Sequence, residues 1–195
     1  RQLEALRLVK EKGLLIEAWV SSLASWAPGE GEEDGTTLQQ MRQESETFRA
    51  IGTGVGYGAH LIRLAQRCAS AGRGPEGLDI LAEAQAWIDR SGIRLLQAEV
   101  HRLRGELLLS AQAGAADALR AAEASLRAAI AVARQQEVRW WELRATVSLC
   151  RLIGQTGAPH DPRRAEGRQM LAEIYGWFGE GFDTLDLREA RELLT

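Results

Sequence analysis

Leucine, isoleucine, valine and alanine recur along this chain at steps of three and four, the spacing that gathers side chains on one face of an α-helix. The clearest runs lie between Glu76 and Leu109. The first carries Leu78, Leu81, Ala84 and Ile88, is opened by Gly74-Pro75 and closes at Ser91-Gly92, where glycine accepts a left-handed turn. The second carries Leu96, Val100, Leu103 and Leu107. Neither stripe can be buried alone, so the two helices must fold onto each other and the pair must pack on another pair. Sliding the segment forward by 45 residues finds that second pair: Leu81, Ala84, Ile88 and Leu96 align with Leu126, Ala129, Ala133 and Trp141, and a third leucine follows at Leu171. The pattern predicts an all-α stack of antiparallel helical hairpins.

The same reading extends along the chain. Leu3, Leu6 and Val9 predict a helix ending at Gly13, and Leu15, Trp19, Ser22 and Trp26 a second that Pro28-Gly29 stops. The polar stretch from Pro28 to Thr37 reads as a solvated loop without the ligand spacing of a calcium loop. Thr37 caps a third helix through Ile51, and a fourth runs from about Ala59 to Ala71. Between them, glycine at alternate positions from Gly52 to Gly58 predicts an inter-helix loop; an anion cradle is the competing reading, but no strand precedes it and the chain has no Gly-Lys-Ser/Thr. Gly105 falls inside a predicted helix, where it costs about 1 kcal/mol against alanine and implies close approach of a neighbour. Helices are expected over Asp117 to Gln136, Val138 to Ile153 and Arg163 to Phe178, the last opened by an Asp161-Pro162 cap, and over a final segment with Leu187, Ala190 and Leu193. The expectation is one repeat domain over 1–195, with hairpins at about 1–27, 37–72, 74–110, 117–153 and 162–195, stacked as an α-solenoid with a right-handed superhelix.

Composition narrows function more than fold. The chain is 45% hydrophobic and 26% charged, as in a soluble domain, and no apolar run reaches the ~20 residues of a membrane span. With no signal-peptide pattern, a cytoplasmic location is expected. A net charge of -3 gives no long-range pull toward nucleic acid or an anionic membrane. Because the first residue is Arg1, the chain reads as part of a larger protein. Cys68 and Cys150 lie far apart on predicted helices and read as small apolar residues.

Candidate chemistry is sparse. His60, His101 and His160 lack metal-ligand spacing, and no GxSxG elbow occurs, so no catalytic residue, metal site or cofactor is expected. Glu99, Arg102 and Glu106 are spaced to form a charged ladder along a helix face. Of six tryptophans, Trp19, Trp26 and Trp177 fit core stripes. Trp87, or one of the adjacent Trp140 and Trp141, either lines a groove between hairpins or forms an aromatic edge between repeats. With Arg90, Arg134, Arg139 and His101, Trp87 and Trp140 make up the expected binding set, for a peptide or an organic anion.

Three strings carry a resemblance: AEVHRLRGELLL (Ala98 to Leu109), WELRATVSLCRL (Trp141 to Leu152) and LAEIYGWFGEGFDTLDLREARELL (Leu171 to Leu194). In this order they resemble the C-terminal tetratricopeptide-like repeat region of large bacterial signalling proteins, although Gly179 and Leu185 stand where that family has threonine and proline. The tetratricopeptide unit is about 34 residues, so the repeat here is longer. The resemblance implies a non-enzymatic interaction or regulatory module, preceded by a nucleotide-binding ATPase domain and a nucleotide cyclase or winged-helix domain. Its partners would be those domains or a separate protein. A ligand-sensing domain that takes a small molecule or peptide in its groove is the alternative. The Lys and Asn clamp of chaperone-binding tetratricopeptide domains cannot be built, since the chain has no Asn and its only lysines are Lys10 and Lys12.

Overall fold

Why the apolar stripes matter is visible in what they bury. The computed structural model describes residues 38–51, 54–111, 115–158 and 160–195, all of it helix and connecting turns. The helices are α1 (Leu38–Ile51), α2 (Gly54–Ser70), α3 (Gly74–Ser91), α4 (Gln97–Ala111), α5 (Ala116–Gln135), α6 (Arg139–Thr156), α7 (Pro162–Tyr175) and α8 (Leu185–Leu194). The predicted hairpin over 1–27, the acidic loop and the Thr37 cap lie outside the described residues.

Each helix packs on its neighbours in sequence, and the even-numbered helices also touch one another in succession, α2 on α4, α4 on α6 and α6 on α8. Among the described residues the odd-numbered helices meet no other odd-numbered helix, so the even ones form a continuous layer. Three apolar cores lie along it. The first joins α1 to α4 around Ile62, Ala65, Leu81 and Leu107; the second joins α5 and α6 around Leu126, Ala129, Leu149 and Ile153; the third joins α6, α7 and α8 around Leu143, Leu171 and Leu187. Leu81, Leu126 and Leu171, one repeat apart in sequence, are all buried, and each contributes roughly 1.5–3 kcal/mol by leaving water.

The ends and crossings of the helices follow local chemistry. Asp161 caps α7 by accepting a hydrogen bond from the backbone N–H of Arg163 at 2.9 Å. Gly92 closes α3 in the left-handed region at φ 70°. At Gly105 a Cβ would lie 2.7 Å from Cγ of Leu126 and 3.1 Å from the carbonyl oxygen of Ala122, so α5 approaches α4 nearly backbone to backbone.

Two expectations need correction. The stretch from Gly54 to Gly58 is the first turn of α2 rather than a loop; Gly52 and Thr53 lie outside the described residues. The helix persists because α3 covers it: the six-membered ring of Trp87 sits where a side chain at Gly58 would be, and the Tyr57 hydroxyl donates to Glu83. Trp177 is not in a core but 62% exposed, because α7 ends at Tyr175 and the chain turns Phe178, not Trp177, back onto Trp140.

Candidate functional site

Helix α4 carries Glu99, Arg102 and Glu106 at steps of three and four, and the expected charged ladder forms and is largely buried. Arg102 donates from Nε and Nη2 to the two oxygens of Glu99, both at 2.7 Å, and from Nη1 to Glu106. The side chains of Glu99 and Arg102 are only 1% and 7% exposed. Water is replaced by side chains of the adjoining helices. From α2, Gln66 donates to Glu99 at 3.4 Å. From α6, Arg144 approaches Glu99 at 3.2 Å and Ser148 donates to Glu106 at 2.7 Å. From α8, Asp186 places Oδ1 3.6 Å from Nε of Arg144, beyond hydrogen-bond reach. The guanidinium of Arg144 also lies 5.6 Å over the ring of Trp141, a cation–π contact.

Gln66, Arg102, Glu106, Arg144, Ser148 and Asp186 line a cleft of about 260 Å³ that crosses all four helices of the even-numbered layer. Leu103, Val147 and Leu185 supply its apolar surface, and Arg151 paired with Glu189 at 2.9 Å stands at its edge. Three arginines (Arg102, Arg144 and Arg151) and three carboxylates (Glu106, Asp186 and Glu189) line it, while the buried Glu99 pairs with Arg102 and Arg144. The repeat sets this pattern: Glu99, Arg144 and Glu189 are spaced 45 residues apart, with alternating sign.

Burial divides the carboxylates. It works to raise the pKa of Glu99, but Arg102 and Arg144 outweigh it and hold that carboxyl below the usual range. Arg102 is also desolvated, yet Glu99 and Glu106 push its pKa up, so the pair is fully ionised. For Asp186 burial prevails over Arg144 and Arg102 and the pKa rises. Its Oδ2 is buried with no hydrogen-bond partner among the described residues.

The six residues expected to bind do not come together here. Trp87 is 8% exposed in the first core, so it is not an open groove residue; its indole occupies the space left by Gly58. Arg90, also on α3, is exposed. His101 is half-buried on α4, its pKa lowered by burial and by Arg104. Arg134 and Arg139 do meet, at the turn between α5 and α6, where they bond the buried Glu142 at 2.6 and 2.9 Å. Trp140 is half-buried and packs edge-on against Phe178 with ring centroids 5.8 Å apart. None of the six lines the cleft. Arg144, Ser148, Asp186 and Glu189 were missed because each looks like a solvated helix position by itself; charge recurring at the repeat period could find Arg144 and Glu189, and no such signal marks Ser148 or Asp186.

A second cleft, about 370 Å³, opens between α1, α2 and α3. Glu76 and Glu83, two of its four carboxylates, are engaged: Arg42 and Arg73 both pair with Glu76, and Glu83 accepts from Tyr57, whose pKa burial and that carboxylate push up to about 12. Among the described residues no three His, Cys, Asp or Glu side chains are placed to hold a metal ion, and no helix is long and apolar enough to cross a membrane. Cys68 is buried and Cys150 half-buried, both as free thiols. No protein-family model, no curated protein and no solved structure matches the chain.

Proposed function

We propose that the chain is a helical-repeat interaction module, an α-solenoid whose cleft across α2, α4, α6 and α8 receives a segment of a protein. The observation that carries this reading is the set of pairs at the cleft: Gln66 of α2, Glu99 and Arg102 of α4 and Arg144 of α6 hold one another in place from three helices. A surface ordered by its own buried pairs loses little side-chain freedom on binding, which favours recognition. The reading is of a binding surface, not of a catalyst. The cleft volume of about 260 Å³ lies under the roughly 300–1,000 Å³ typical of small-molecule sites, which favours a partner's side chain over a free metabolite. The resemblance to bacterial signalling proteins supplies the context, a cytoplasmic regulatory region acting on ATPase and output domains of the same protein.

The test is position-specific photo-crosslinking in the full-length protein in its own cells. A photoreactive amino acid at Leu185, inside the cleft, is expected to form a protein adduct, within the parent protein or to a second one. The same group at Arg120, which is 74% exposed on α5, should form none. Adducts at both positions, or only at Arg120, would count against the cleft as the interaction surface. So would an adduct at Leu185 that survives Arg151→Glu unchanged.

A further inference from the structure

Resting on that reading of the cleft, we infer that its occupant is a cationic side chain, a lysine or arginine of the bound segment, received by Asp186. What is already paired and what is not decides the sign. Arg102 is held by Glu99 and Glu106, Arg144 by Glu99, and Arg151 by Glu189, so each guanidinium in the cleft already has its anion. Asp186 is different. Its side chain is only 9% exposed, Arg144 comes no nearer than 3.6 Å, and Oδ2 has no hydrogen-bond partner among the described residues. A desolvated carboxylate oxygen without a donor is destabilising, and a donor brought by a ligand relieves that cost. The lining is charge-balanced, three arginines against Glu106, Asp186 and Glu189, so the pairing and not a surplus of charge sets the sign. Shape points the same way. Leu103, Val147 and Leu185 offer apolar surface to the methylene stem of a lysine or arginine, while Glu189, one helical turn on from Asp186, lines the same cleft. An incoming carboxylate or phosphate would find each guanidinium already paired with a carboxylate and the Asp186 carboxylate beside it.

The test uses three capped tripeptides with lysine, Nε-acetyl-lysine or glutamate at the centre, titrated to millimolar concentration into the 15N-labelled chain and followed by amide shifts. The lysine peptide is expected to move resonances of Arg102 to Glu106 and Leu185 to Glu189. Acetylation, or Asp186→Asn in the protein, should weaken it by about tenfold, the loss that accompanies one charge-assisted hydrogen bond. Equal binding of the acetylated peptide, preference for the glutamate peptide, or an unchanged affinity in Asp186→Asn would overturn the inference. So would the absence of shifts in both segments. A crosslink from Leu185 combined with any of these failures would remove only the cation and leave the interaction surface standing.

Discussion

Helix α4 is held to its neighbours by opposite means on two of its faces. Toward α5 the contact is apolar and close, with Gly105 against Leu126 and the backbone of Ala122. Toward α6 it is ionic, with Glu99, held by Arg102, meeting Arg144, and Arg144 turned on toward Asp186 of α8. The first seam draws its stability from excluded water and from contacts that leave no room for another atom. The second returns less free energy for the same burial, because two charges must be taken out of water before their attraction counts. Its contribution is register. Glu99 reaches Arg144, and Arg151 reaches Glu189, only with successive hairpins in the observed alignment.

Removing one charge from the ionic seam should give the largest effect. Arg102→Met leaves Glu99 buried with Arg144 as its remaining cation, and is expected to cost about 3–5 kcal/mol in urea unfolding. Adding Glu99→Leu should recover most of that loss; a double variant no more stable than Arg102→Met would show that the seam is not governed by unpaired charge. In the apolar seam, Gly105→Val should cost about 1–3 kcal/mol by forcing Leu126 aside. Combined with Leu126→Ala the two losses should sum to less than their separate values, because the clash is removed, and strict additivity would show that the two residues do not meet.

The smallest effect should have the opposite sign. Asp186 has a raised pKa, so its ionised form is the one the fold disfavours, and its stabilising contribution belongs to the protonated form and is lost as pH rises through the folded-state value. Asp186→Asn should therefore raise stability at pH 7, by about 0.5–1 kcal/mol, with the gain shrinking as pH falls through that same range. Thermal melts of the two proteins across this pH range provide the check, and an Asn variant less stable than the parent at pH 7 would contradict it.

The apolar seam was legible in the sequence and the ionic one was not. Leu81, Leu126 and Leu171 announce themselves by spacing, the caps at Gly92 and Asp161 by residue type, and the close crossing at Gly105 by its position inside a helix. Each of these is a local signal. Glu99 and Arg102 look the same in sequence whether water or another helix covers them, and their cover comes from Arg144 and Asp186, two later helices. Trp87 and Gly58 show the same limit. Taken singly, Trp87 reads as a groove aromatic or an aromatic edge between repeats and Gly58 as a loop glycine, whereas the large side chain fills the space that the missing one leaves.

Helix α8 supplies both Asp186 and Glu189, and at ten residues it is too short to persist without the packing of Leu187 and Ala190 on the third core. The fourth wall of the cleft therefore exists only while α8 is docked. Any occupant that touches this wall binds the docked form alone, and so holds α8 down by mass action. Occupancy should be written in time as well as in affinity: the backbone amides of Leu187 to Leu194, which exchange with solvent whenever the helix lifts, would exchange more slowly when the cleft is filled.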